Sequence, residues 1–157
     1  MENRKRIIPL KTSFSIRGRF IDIAHYQDGR SEVIREGHNI VTDSGLGLVT
    51  GALGNLTNGI TYWQVGSGDP AWDTDPVEAT AETSALIDPV MMKPVAVLYW
   101  DNENDRYSPI PTDTIDIRVI FMAEEANAPL REFGLVGPDP DNILFNYVIH
   151  ERISKSE

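Results

Sequence analysis

The residue types that most often bind metals or transfer protons are scattered along this chain. The three histidines, His25, His38 and His150, lie far apart, and none has the short spacing with which one helix or strand presents zinc ligands. No cysteine is present, which excludes a disulfide, a thiolate metal site and a cysteine nucleophile. The sequence therefore predicts no transition-metal site.

Carboxylates are concentrated in one segment, where they could offer hard oxygen ligands to calcium. Asp69, Asp73 and Asp75 lie there, but the central glycine and the distal bidentate glutamate of an EF-hand loop are missing. A solvated acidic loop is the interpretation that this pattern favours over an ion site.

Ser67 is flanked by glycines, a setting in which a catalytic serine or a phosphate-binding loop could be sought. Gly66-Ser67-Gly68 lacks the Gly-x-Ser-x-Gly spacing of a nucleophile elbow. No Gly-Lys-Ser/Thr follows it, as a P-loop requires. A turn is the simpler interpretation, so the sequence predicts a protein that is not an enzyme and binds no cofactor.

The charge balance restricts the partners. The chain has 24 acidic and 14 basic side chains, a net charge of -10, which repels a phosphate backbone, and no nucleic-acid partner is expected. Residues 1–12 form a predicted N-terminal arm that could touch an acidic neighbour, although a solvated tail explains its basic residues equally well: Arg4, Lys5, Arg6 and Lys11. No apolar run of about 18 residues occurs, so we expect no membrane span.

Most of the chain has the pattern of β-strands. Residues 13–26 alternate apolar and polar side chains, and Asp28-Gly29 is a typical hairpin turn. About seven strand-like runs, separated by turn residues, predict a mainly β fold, either an antiparallel β-sandwich or a barrel, with one short helix. Residues 13–157 are therefore interpreted as a single β-rich domain.

The one short helix is predicted to begin after residue 42. Asp43 or Ser44 could cap its free amides. An apolar stripe at i, i+3 and i+7 is expected to face the core, and it consists of Leu46, Val49 and Leu53.

A long loop is predicted at about residues 69–92. Segments of this length with little secondary structure are uncommon in compact domains and are usually functional or disordered. Because large aromatic side chains concentrate binding energy at interfaces, Trp72 is the expected anchor on a neighbouring subunit. Four apolar residues of the loop are expected to join it there: Leu86, Ile87, Met91 and Met92.

Three short motifs follow one another in a distinctive order. An "N-x-V-x-x-x-G-L" pattern is followed by "V-G-x-G" and then by "R-E-x-G-L", at residues 39–46, 65–68 and 131–135. In this order they resemble a group of small structural proteins of tailed bacteriophages, over roughly residues 17–150.

This resemblance implies a virion component of the tail, in the tail tip, the fibre attachment or the baseplate. Its implied partners are identical subunits and other virion proteins, assembled in the cytoplasm of the host bacterium. The long loop and the small core predict a homo-oligomer, as a trimer or a hexamer. The resemblance implies no active-site residues. A head-decoration protein of the capsid and a soluble ligand-binding β module remain as alternatives.

Overall fold

The computed structural model describes residues 15–54, 56, 58–138 and 142–154. The predicted N-terminal arm, residues 1–12, lies outside them. The described part is 44% strand and 11% helix, which confirms the mainly β, antiparallel prediction with one α-helix. The strands are β1 (Gly18–His25), β2 (Ser31–Val41), β3 (Tyr62–Gly66), β4 (Pro89–Pro94), β5 (Ala96–Asp101), β6 (Arg106–Ser108), β7 (Thr114–Arg118), β8 (Leu130–Val136) and β9 (Asn146–Ile153).

The strands form two antiparallel sheets that curl into a half-barrel. The larger sheet has six strands in the order β1-β2-β9-β8-β3-β4, and the smaller has three in the order β6-β5-β7. β1 and β2 form the expected hairpin: Gly29 has a φ of 86°, and the amide of Tyr26 donates to the carbonyl of Arg30 at 2.9 Å. The Asp-Gly turn is therefore confirmed.

Adjacent residues of a strand point to opposite faces, so the large sheet has a core face and an outer face. Phe133 of β8 lies on the core face, where it stacks on Trp63 at 5.1 Å and meets Phe20 edge-on at 5.2 Å. Leu135, two residues further along β8, packs on the same face against Leu48. The core face thus carries most of the aromatic packing.

The helix α1 (Asp43–Leu53) also packs on the core face, but through a different side from the one predicted. Its buried residues are Gly45 and Leu48, whereas Leu46 and Leu53 are exposed, so the predicted stripe is wrong. The cap is Thr42, not Asp43 or Ser44. The Thr42 hydroxyl accepts from the amide of Gly45 at 2.9 Å and donates to the carbonyl of Leu144, which fixes the start of the helix against the chain before β9.

The chain between β3 and β4, residues 67–88, is called the excursion below. It begins with a 3₁₀-helix, Pro70–Asp73, and then crosses the outer face, where Leu86 is buried with Val136, Leu144 and Tyr147. The excursion is shorter than the predicted loop of residues 69–92, because Pro89–Pro94 pairs with β3 as a strand.

Candidate functional site

Arg131 of β8 fastens the first part of the excursion. Its guanidinium is buried and forms a bidentate pair with Asp73, with nitrogen–oxygen distances of 2.8 and 2.7 Å. It also donates to the carbonyl of Ser67 at 3.1 Å. The hydrogen bond from Arg131 holds the pKa of the Asp73 carboxyl below its usual value. Asp73 is therefore a structural ion-pair partner rather than part of a purely solvated acidic loop.

Glu132, the next residue of β8, fastens the end of the excursion. Its carboxylate is fully buried and accepts hydrogen bonds from the amides of Ile87 at 3.0 Å and Asp88 at 2.9 Å. The Tyr147 hydroxyl donates to the same carboxylate at 2.5 Å. Burial and this acidic neighbour raise the pKa of Tyr147. Arg131 and Glu132 are adjacent on β8 and point to opposite faces of the sheet. Arg131 holds the first part of the excursion and Glu132 holds its end.

Two glycines make room for this arrangement. A Cβ on Gly66 would lie 2.5 Å from Glu132 Oε1 and 2.7 Å from the Asp88 carbonyl oxygen. Gly68 has a φ of 59°, and a Cβ there would overlap the Trp72 ring. Larger residues would thus displace either the buried carboxylate or the indole, which explains the V-G-x-G motif physically.

The structure separates the residues that were predicted to form an interface. Leu86 is buried in its own chain, so its assignment to an interface is wrong, because its apolar surface is already used in the core. Trp72 is half-buried against Gly68, and Met91 packs on the core face from β4. Ile87 is 63% exposed and Met92 is 36% exposed, so these two remain available to a partner.

A larger exposed apolar surface lies on β1 and β2, which the sequence interpretation did not assign to an interface. Because the excursion packs over β8 and β9, part of the outer face of β1 and β2 stays uncovered. Ile21, Ile23 and Val33 share this face through the β1–β2 register and are 48%, 48% and 56% exposed. They are called the outer strip. The alternation of apolar and polar residues within β1 predicts a strand with two different faces, but it does not indicate which face is covered.

A groove of about 260 Å³ lies between the excursion and the strands β2 and β9. Ile40 of β2 and Ile149 of β9 contribute apolar lining from the sheet, and Val77 and Glu78 line it from the excursion. Tyr147 also lines the groove, although its hydroxyl is engaged by Glu132. The groove therefore has a mixed lining, in which apolar side chains lie beside His38 of β2 and Glu78 of the excursion.

The histidines lie in three separate environments. His25 is exposed and contacts the Ser31 hydroxyl at 2.8 Å, and His38 is exposed on β2 near the Gly18 carbonyl. His150 packs beside Phe133, and burial lowers its pKa to about 4. Over the described ranges, no group of three or more acidic or histidine side chains is arranged to hold a metal ion.

Comparisons with known proteins identify no relative. No protein-family model matches this chain, no curated protein matches it, and no solved structure matches it. Among the helices that the structure describes, none is long and apolar enough to cross a membrane.

Proposed function

We propose that this chain is a non-enzymatic structural component of a tailed-phage virion, built into the tail at the tip, the fibre attachment or the baseplate. It works by self-assembly and by contacts with other virion proteins. The observation that carries the proposal is the outer strip, which leaves large β-branched side chains of regular strands facing solvent. Exposed contiguous apolar surface on a folded domain typically marks an interaction site.

The roles of the motif residues support a structural protein. Thr42 caps the helix and ties it to the chain before β9, Gly66 admits the excursion, and Arg131 and Glu132 fasten it. In the motif order that resembles the phage proteins, these residues shape the domain and its surface. Each makes contacts within the chain that a structural role explains.

The buried carboxylate that could suggest catalysis is engaged within the chain. Among the carboxylates that the structure describes, Glu132 is the most buried, but both of its oxygens accept hydrogen bonds from the protein. A general base needs hydrogen-bond access to the proton it removes, and this carboxylate has no exposed surface. The arrangement favours an anchor over an active site.

The proposal is tested by the mass of the protein in solution and by its place in particles. Sedimentation velocity is expected to show a trimer or a hexamer. Particles of the phage that encodes it are expected to carry the protein, with gold-labelled antibodies binding at the tail. A protein that is monomeric at high concentration and missing from purified particles contradicts the proposal.

The two alternatives give different results in the same experiments. A head-decoration protein would bind the antibodies around the capsid instead of at the tail. A soluble ligand-binding module, for which the groove is the candidate site, would be monomeric and missing from the particle. Cleavage of cell-wall glycan or peptide by the purified protein would contradict the non-enzymatic assignment.

A further inference from the structure

We propose that residues 1–14 of one copy bind in the groove of a neighbouring copy and link the subunits head to tail. This inference rests on the proposed self-assembly and adds the segment and the surface that carry it. It follows from the chemistry of the groove, the composition of the segment and the face of the sheet on which the described chain begins.

The groove lies beside a strongly acidic surface. The excursion contains no lysine or arginine and has six carboxylates: Asp69, Asp73, Asp75, Glu78, Glu82 and Asp88. Asp73 is neutralised by Arg131, but Asp75, Glu78 and Glu82 are exposed. Within the described ranges, none of these three lies in an ion pair. Glu78 lines the groove directly, next to the apolar side chain of Val77.

The N-terminal segment has the complementary composition. It contains four basic residues against the single acidic Glu2, in a chain whose net charge is -10. The basic run 4–6 is followed at once by Ile7-Ile8-Pro9-Leu10. A short apolar run beside a basic run suits a groove whose apolar side chains lie beside the acidic excursion, and complementary charge favours the correct register. Pro9 restricts the free segment and so reduces the entropy lost on binding.

The geometry of the sheet favours a neighbouring copy over the same copy. Ile16, near the first described residue, packs in the core-face cluster of Leu48 and Leu135. Val41 of β2 belongs to the core-face cluster, so its neighbour Ile40 points to the outer face. Because Ile40 lines the groove, the groove opens on the outer face. The described chain therefore begins on the face away from its own groove, which favours a neighbouring copy as the one that receives the segment.

Its reach is sufficient to join two subunits. Fourteen extended residues span at most about 46–50 Å. A contact between two different surfaces repeats from copy to copy and closes into a ring when the rotation between copies allows it. This geometry agrees with the trimer or hexamer expected for the proposed assembly.

The test uses designed disulfides in the full-length protein, which has no cysteine of its own. Ile8→Cys is prepared as one variant and Val77→Cys as another, and the two are mixed under mild oxidation. A disulfide between them then joins two chains and is detected as a dimer that disappears on reduction. We expect this dimer to exceed by at least tenfold the dimer formed with a control partner, Val97→Cys. Val97 is a fair control because it is 42% exposed and Val77 is 44% exposed.

The double variant Ile8→Cys/Val77→Cys distinguishes the two possible origins of the segment. A ladder of linked chains supports binding to a neighbour, whereas a crosslinked monomer overturns it in favour of the same chain. If sedimentation shows an oligomer but Val77→Cys crosslinks no better than Val97→Cys, the groove assignment is wrong and the proposed self-assembly stands. If the protein is only monomeric, both are wrong.

Charge reversal provides a second, independent test. Glu78→Lys with Glu82→Lys, and separately Arg4→Glu with Arg6→Glu, are each expected to weaken subunit association by at least tenfold. Combining the two pairs is expected to restore it, because the opposite charges then face each other again. Unchanged association in both pairs, or no recovery in the combination, would overturn the inference.

Discussion

At the scale of single residues, Glu132 is the side chain whose role is least evident from its type. A charged residue in an apolar strand usually points to solvent, yet this carboxylate is fully buried and holds two backbone amides and a tyrosine hydroxyl. Hydrogen bonds to a charged acceptor are stronger than neutral ones. The residue therefore joins the large sheet to the excursion.

We predict that Glu132→Gln lowers the free energy of unfolding by roughly 2–4 kcal/mol. The side-chain nitrogen of the glutamine is itself a donor, and it would face one of the protein donors that the carboxylate now accepts from. Urea denaturation measures this change, and hydrogen exchange is expected to speed up at the amides of Ile87 and Asp88. The matched control is Glu36→Gln, which breaks the exposed pair with Arg19 and should cost less than about 1 kcal/mol. Equal effects of the two substitutions would contradict the anchoring role.

His150 makes stability depend on pH. Burial is the main cause that lowers its pKa from 6.5 to about 4, and nearby Arg35 and Arg131 add to the effect. The unfolded chain therefore binds a proton at a higher pH than the folded protein does. Stability is full above pH 6.5 and declines as the pH falls toward 4.

We predict that His150→Gln reduces the loss of stability at low pH. The difference between the unfolding free energies at pH 7.5 and pH 4 should shrink by on the order of 1–3 kcal/mol, as measured by urea denaturation at each pH. His25→Gln is the control, because His25 is exposed. An identical pH dependence in the wild type and His150→Gln would show that another group is responsible.

At the scale of elements, the helix α1 shows how a close backbone contact overrides an apolar stripe. Leu46, Val49 and Leu53 have the spacing of a buried face, but the helix turns Gly45 toward the chain just before β9. A Cβ on Gly45 would overlap the Phe145 carbonyl oxygen, whereas one on Gly47 would meet nothing within 4 Å. The glycine that permits this approach decides which face is buried.

We predict opposite effects for two substitutions in this helix. Gly47→Ala should stabilise the protein by roughly 0.5–1 kcal/mol, because alanine loses less backbone entropy in a helix. Gly45→Ala should destabilise it by about 1–3 kcal/mol or more, because the backbone it would strike cannot move aside easily. Thermal unfolding followed by circular dichroism measures both. A stabilising Gly45→Ala would contradict the docking described above.

At the scale of the whole molecule, the outer strip is an apolar surface that the fold leaves uncovered. The excursion covers β8 and β9 but leaves Ile21, Ile23 and Val33 facing solvent. Each large apolar side chain that becomes fully buried contributes about 1.5–3 kcal/mol of gross transfer free energy, which is offset by the entropy lost on association. The strip is therefore a second expected subunit contact, adjacent to the groove.

We predict that Ile21→Lys with Ile23→Lys shifts the protein toward the monomer without unfolding it, because both side chains are about half exposed already. Sedimentation velocity measures the shift, and circular dichroism checks the fold. The control is Ile110→Lys, at a residue that is 67% exposed in the turn between β6 and β7. If the oligomer of the double variant is as stable as that of the control, the strip is not a subunit contact.

Local patterns in the sequence were sufficient to predict much of the fold. The alternation in β1, the Asp-Gly turn and the spacing of turn residues predict antiparallel strands, because a two-residue period and a positive-φ turn are properties of short segments. The absence of cysteine decided that packing and hydrogen bonds must stabilise the domain. The order of the three motifs pointed to a structural virion protein, which remains our proposal.

Only the tertiary structure decided which faces are covered. Leu86 and Ile87 are neighbours in the same loop, yet one is buried and the other is 63% exposed, because the excursion crosses the sheet and presents alternate sides to it. Arg131 and Glu132 likewise act on Asp73 and on Ile87, residues more than forty positions away. Contacts over such distances depend on how the strands are ordered in the sheet, and a local pattern carries no information about that order.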